Sequence, residues 1–299
     1  MQEIKITKDT CGQRLDKFLA RYLNAAPKIF VHKMLRKKNI VVNGKRADGS
    51  LILDAGDIVT LYLADATIAK FTKAKAAHDG PLNIVFEDEN IIIINKPAGL
   101  LTQPDSADGD SLTGRLRHHY AYADFAPVAI NRLDRNTSGL VLCAKNLPVA
   151  QILSSLVHDR RIEKNYLAVA HGEIPHEMQL EGVHTKDVKK NLAKIVPRGT
   201  FGREVVTRVV PIGYCAEKDA TLLKIGLETG RSHQIRAHLA SIGHPLVGDR
   251  KYGGKGAVRQ VLHAHEIIFG EVHGVLGYLS GRRFEAPLPE DMGDWYNLS

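Results

Sequence analysis

The chain is predicted to be an α+β protein in two parts. A small basic domain occupies 1–63, a linker 64–80, and a larger domain of mixed strands and helices 81–299. Three observations predict this. At 299 residues the chain exceeds one small domain and accommodates two. Residues 1–63 carry 12 Lys and Arg against 6 Asp and Glu, so most of the formal net charge of +8 sits in the first fifth. Beyond residue 82, strand-like apolar runs are separated by Gly, Pro and Asn turns, without the regular strand–helix alternation of a doubly wound sheet.

Within the small domain, Leu15, Phe18, Leu19, Tyr22 and Leu23 recur at helical spacing and predict a helix over 14–23. A second helix is expected from Pro27, which suits a first turn, to Lys38. Its Ile29, Phe30, Met34 and Leu35 can pack inward, while Lys28, His32, Lys33, Arg36 and Lys37 gather on the other face. Asn43-Gly44 between Ile40-Val41-Val42 and Lys45-Arg46 signals a tight hairpin, and 56–63 reads as a further strand. Residues 64–80 lack apolar periodicity.

In the larger domain, Asp134 sits between Arg132 and Arg135 in a polar loop that passes through Thr137-Ser138-Gly139 into an apolar strand. Short hydroxyls and a glycine suit such a turn, and a bare loop Asp is most often a turn residue. Further on, Leu223, Ile225 and Leu227 alternate on one strand face. Ser232 can then cap a helix whose core residues are Ile235, Leu239 and Ile242, ended by Gly243 and Pro245. Arg231 falls at that helix's amino end, a place that attracts a phosphate or a carboxylate. The glycines of Tyr252-Gly253-Gly254-Lys255-Gly256 predict a mobile loop.

Composition narrows the class. With 44% hydrophobic and 25% charged residues the chain can bury a sizeable core. Its pI of about 9.3 favours a polyanionic partner. Cys11, Cys143 and Cys215 are far apart with no C-x-x-C pair, which fits a reducing compartment and argues against disulfides or structural zinc. The histidines lack a third ligand at metal-binding spacing, so no metal is expected. The amino terminus shows no apolar signal region, and no apolar run approaches the ~20 residues of a membrane helix. A cytoplasmic protein without membrane contact is expected.

Two resemblances give these segments a meaning. Residues 12–63, through Arg14-Leu15-Asp16-Lys17 and Val42-Asn43-Gly44, resemble the RNA-binding domain named after ribosomal protein S-four. That resemblance implies RNA contacts by Arg14, Lys28, Lys33, Arg36 and Lys37. Asn131-Arg132-Leu133-Asp134 with Thr137-Ser138-Gly139 resembles the central motif of the RluA-type pseudouridine synthases, which commonly has His at the position of Asn131. Glu87 to Leu100 with Lys96-Pro97, Lys164-Asn165-Tyr166, and Leu227 to Leu239 followed by Gly248-Asp249 match the same family in order.

The family implies a catalytic domain built on a mixed, largely antiparallel sheet with flanking helices. It implies conversion of uridine in RNA to pseudouridine, with Asp134 as nucleophile, Arg231 paired to it, and Tyr166 against the base. Arg132 is expected to fill the space of the flipped nucleotide, and Asn131 to keep a structural hydrogen bond. Every atom is retained in the reaction, so no cofactor is expected. The expected partner is 23S ribosomal RNA or a precursor ribosomal particle. Transfer RNA, or a non-catalytic RNA-binding or ribosome-assembly role on the same fold, are the alternatives.

Overall fold

A computed structural model of the chain describes residues 1–72, 77–106, 109–121, 125–187 and 192–296. In the small domain the helices Leu15–Tyr22 and Lys28–Arg36 pack on a three-stranded antiparallel sheet ordered Gln2–Lys5, Ile58–Leu61, Ile40–Val42. Leu15, Leu19, Val31, Leu35, Val59 and Leu61 form its core. The Asn-Gly turn is as expected: Asn43 and Gly44 both take left-handed backbone, φ 51° and 70°, between paired Val42 and Lys45.

Two details differ from the sequence reading. Ile29 is 78% exposed, and Val31 takes its place in the core. The buried stripe runs through Val31, Met34 and Leu35, and Ile29 lies roughly 200° around the helix from Val31. Within the expected linker, Asp65–Phe71 is a helix that closes the small core. Ile68 is buried, and the Phe71 ring meets Phe30 at 4.6 Å. Residues 73–76 of that linker lie outside the described residues.

The larger domain is built on one eleven-stranded sheet. Its main path runs from Leu192–Val196 through Met178–Asp187, Arg203–Cys215, Ala220–Leu227, Ile162–His171, Leu262–Phe269 and Ser138–Ala144 to Ile91–Lys96 and Ile84–Glu87. Every neighbouring pair is antiparallel except Leu262–Phe269 with Ser138–Ala144, which is parallel. The sheet is therefore mixed and largely antiparallel, in an α+β fold.

Helices cover both faces, which explains why the central strands are unbroken apolar runs. Ile92, Ile94, Val141 and Cys143 face Leu116, Ile235 and Leu239 of the helices Leu112–His119 and Gln234–Ser241. Ile91, Ile93, Leu140 and Leu142 face Val149, Leu153 and Leu156 of the helix Leu147–His158. The small domain touches the start of that last helix: the Leu147 N–H donates to Asp9 O at 2.9 Å, and the Gln151 amide to Gly12 O at 2.9 Å. No helix among the described residues is long and apolar enough to cross a membrane.

Candidate active site

The loop before the strand Ser138–Ala144 is held at nearly every residue. Thr102 Oγ1 accepts the Leu133 N–H at 3.0 Å and donates to Leu133 O at 2.9 Å, a reciprocal clamp on the residue before Asp134. The Asn131 side chain donates to Leu140 O at 3.1 Å and accepts the Leu142 N–H at 2.8 Å, so it ties the loop to the strand that follows. Beyond Asp134, the Arg259 guanidinium donates to Asn136 O at 3.1 Å. Gly139 (φ 112°) permits the parallel pairing that anchors the loop, because a Cβ there would lie 2.2 Å from Ala264 O.

Under the loop lies Lys96, the last residue of the strand Ile91–Lys96 and fully buried. Its ammonium donates to Leu100 O at 2.7 Å, Pro97 O at 2.9 Å and Arg135 O at 3.2 Å. All three donors of the protonated form are thereby used. Burial draws its pKa down to about 7, against the pull of the Asp134 charge.

So positioned, the Asp134 side chain remains 25% exposed, and its Oδ2 accepts from Arg236 Nη1 at 2.9 Å. Arg236 is 8% exposed, and its Nε and Nη2 form a fork onto Asp249 at 2.6 and 2.7 Å. The Tyr252 ring covers the guanidinium at 5.0 Å. Burial alone would lower the Arg236 pKa, but hydrogen bonds and charge from Asp249, and then from Asp134, outweigh it and hold the pKa up. The arginine is therefore a fixed cation with one arm on Asp134 and two on Asp249.

His233 fills the next position. It holds a left-handed φ of 57° ahead of the helix Gln234–Ser241 and brings Nε2 to 3.8 Å from Asp134 Oδ2. Its Nδ1 lies 3.0 Å from the Tyr252 hydroxyl, which accepts the Ala193 N–H at 2.9 Å. Burial lowers the His233 pKa, opposed by Asp134 and reinforced by Arg236. The ring is thus held neutral, and with the Tyr252 hydroxyl donating to Nδ1 its Nε2–H faces the carboxylate.

Tyr166, in the strand Ile162–His171, is 6% exposed, and its pKa is raised by burial and by the Asp134 charge. Arg132 is exposed beside the loop and makes no ion pair among the described residues, whereas Arg135 pairs with Asp105 at 2.7 Å. Lys28, Lys33, Arg36 and Lys37 are exposed on the small domain. Arg14 differs, because its guanidinium is engaged by Asp16 at 2.7 Å.

Arg231 is not brought to Asp134. It is exposed ahead of the helix and makes no ion pair among the described residues, while Arg236 in the first helical turn makes the contact. Ser232 is exposed and does not cap the helix, which begins two residues later. The Gln234 side chain supplies the acceptor instead, taking the Arg231 N–H at 3.1 Å. Nor is Tyr252-Gly253-Gly254-Lys255-Gly256 an open loop. It closes on itself through Gly254 N–H to Asp249 O at 2.9 Å and Gly248 N–H to Lys255 O at 2.7 Å.

Sequence reasoning missed Lys96, Thr102, His233, Arg236, Asp249 and Tyr252 as parts of one assembly. A signal existed for one of them: Arg236 sits between Ile235 and Ala237 on a helix otherwise destined for the core, and a core-facing arginine demands a carboxylate. Among the described residues no three His, Cys, Asp or Glu side chains converge to hold a metal ion.

A polar loop that presents one part-exposed carboxylate at the edge of a mixed sheet, in a chain with a basic two-helix domain, defines a class also visible in comparisons with known proteins. Residues 90–241 match the family model described as RNA pseudouridylate synthase, and residues 13–59 match the S4 domain. The chain belongs to the RNA pseudouridylate synthase family and is an RNA pseudouridine synthase with an amino-terminal S4 domain.

Among its relatives, the uncharacterized RNA pseudouridine synthase YlyB of Bacillus subtilis (strain 168) is 32% identical over 313 residues, 98% of this chain and 97% of that protein. Ribosomal large subunit pseudouridine synthase D of Salmonella typhimurium is 32% identical over 312 residues, 97% of this chain and 91% of that protein. In fold, the human RNA pseudouridylate synthase domain containing 1 aligns with a TM-score of 0.55 at 23% identity, covering 70% of this chain and 84% of that one.

Proposed function

We propose that the protein converts specific uridines of large-subunit 23S ribosomal RNA to pseudouridine, with Asp134 as the nucleophile. The observation that carries this reading is the Asp134 carboxylate, solvent-reaching yet fixed by a buried arginine whose other donors are committed to Asp249. The RNA target is supported by the printed names of relatives, among them ribosomal large subunit pseudouridine synthases D and C.

In this reading a uridine is flipped out of its stack at a cost of a few kcal/mol. Arg132 fills the vacated space, and Tyr166 covers the base. The task of the site is orientation and exclusion of water, which the Arg236 contact and the Thr102 clamp serve. Attack by the carboxylate, at ribose carbon 1′ or at uracil carbon 6, leads to cleavage of the bond from N1 to carbon 1′. The uracil turns, carbon 5 bonds to carbon 1′, the bond to Asp134 breaks and restores its carboxylate, the proton on carbon 5 leaves and N1 gains one, so atoms and charge balance. Tyr166, a neutral phenol, can accept a proton only while passing on its own.

The test has two arms. Pseudouridines are mapped in ribosomal and transfer RNA from cells with and without the gene; a position should vanish from 23S ribosomal RNA, and a loss confined to transfer RNA would reassign the substrate. Purified Asp134→Asn should bind RNA with near-normal affinity and isomerise no uridine. Measurable turnover by that variant would remove Asp134 as the nucleophile.

A further inference from the structure

The turn from Gly248 to Ala257 contributes Asp249 and Tyr252 to the site, yet its outward side has no part in the chemistry above. It is rigidly built. A Cβ on Gly248 would lie 1.9 Å from Arg259 O, and one on Gly254 1.9 Å from Leu246 O, so these glycines allow close backbone packing. His171 Nε2 accepts the Lys255 N–H at 3.1 Å and pins the far end. Gly253 and Gly256 serve differently: both have left-handed φ, 96° and 84°, and a Cβ on Gly253 would meet nothing within 4 Å.

These two glycines, with Gly254, Arg250, Lys255 and Ala257, line a cleft of about 410 Å³. Arg250, Lys251 and Lys255 are exposed, and none makes an ion pair among the described residues. Arg135 and Arg160, by contrast, are engaged by Asp105 and Glu228. Asp249 and Tyr252 of the same turn touch Arg236 and His233, which places this turn beside the partners of Asp134.

We infer that this cleft is a phosphate subsite that holds the RNA backbone next to the target uridine, with Arg250 and Lys255 on its phosphate oxygens. The inference rests on the uridine-isomerising reading above. Unengaged cations call for an anion, and at Gly253, where a Cβ would meet nothing within 4 Å, a sugar–phosphate chain can approach the protein backbone. A flipped nucleotide stays covalently tied to its flanking phosphates, and an anion site on the turn that carries Asp249 and Tyr252 suits one of them. The contact is sequence-independent: it positions the strand and leaves the choice of base to the crevice.

The test uses the full chain and 23S ribosomal RNA transcribed in vitro. The double variant Arg250→Gln/Lys255→Gln should raise KM about tenfold, leave kcat within about twofold, and flatten the slope of log affinity against log salt by about 0.7 per lost contact. Lys255→Arg alone should stay near the parent, and thermal melting of all three proteins should coincide because both side chains are exposed. Unchanged KM and salt slope in the double variant, beside normal turnover by the parent, overturn the subsite and leave the uridine-isomerising reading intact. A fall in kcat without a change in KM also overturns it, since the residues would then act on the chemistry. No turnover by the parent protein overturns both.

Discussion

Arg236 holds Asp134 with one arm and Asp249 with two, and the bidentate partner is the carboxylate that never meets solvent: Asp249 is 1% exposed, Asp134 25%. The buried carboxylate thus sets the plane of the guanidinium, and the guanidinium sets the position of the reacting one. Asp249→Asn should leave Arg236 charged but weaken its fork. Loss of aim of this kind costs about a hundredfold in kcat, and breaking a buried pair costs on the order of 3–5 kcal/mol of stability. Turnover assays combined with denaturant midpoints check this; unchanged kcat would show that Asp249 has no part in positioning.

Lys96 makes stability depend on pH in a direction opposite to most lysine contacts. Its folded-state pKa is depressed to about 7, below the ordinary 10.5. Between those values the unfolded chain holds more protons than the folded one, so stability from this group rises with pH from about 7 to about 10.5 and is lowest below 7. A Lys96→Met variant lacks this linkage. Denaturant midpoints at pH 6.5 and 9.5 should therefore show the parent gaining on the variant by a few kcal/mol on the order of 1.4 per unit of pH. A gap that is the same at both pH values would contradict it.

Gly139 is required by geometry. With φ at 112° and the Ala264 carbonyl 2.2 Å from where a Cβ would sit, Gly139→Ala must separate the parallel pair that anchors the catalytic loop. A loss of about 3 kcal/mol or more is expected from strain and overpacking together. Thermal melting reads it, and an unshifted midpoint would show that the pair yields freely.

The basic helix of the small domain should act on binding alone. Arg36→Glu and Lys37→Glu, both at exposed positions, are expected to weaken RNA affinity and reduce its salt dependence by about 0.7–0.9 per phosphate contact, with kcat at saturating RNA unchanged. Titrations at several salt concentrations, beside turnover at saturation, separate the two effects.

How much of this was legible in the sequence depended on distance along the chain. The Asn43-Gly44 turn is a local event, and its residue types dictate it. The loop around Asp134 was legible because hydroxyls, a glycine and an apolar strand follow it directly. The partner of Asp134 was not, because Arg236 lies 102 residues away and Arg231 stands in the more suggestive place, ahead of a helix. Only the start of the helix Gln234–Ser241 decides between them, and its cap is His233, one residue beyond the Ser232 that the sequence suggests. The helix Asp65–Phe71 escaped for a related reason: it is seven residues long, and its apolar residues pack on Phe30 from a distant part of the chain.

On the proposed function, the shared arginine also bears on which part of a nucleotide can approach Asp134. Two carboxylates, Asp134 and Asp249, converge on one guanidinium, so these three side chains together carry more carboxylate than cation, and burial draws the pKa of His233 beside them down. Such a centre repels a phosphodiester and tolerates an uncharged uracil ring. Around it stand Arg132, Arg250 and Lys251, cations without ion-pair partners among the described residues. A polyanion approaching this pattern is drawn to the rim and turned away from the middle. On the proposed function, a strand so steered settles with its bases inward, and the charge pattern sorts base from backbone before any bond begins to break.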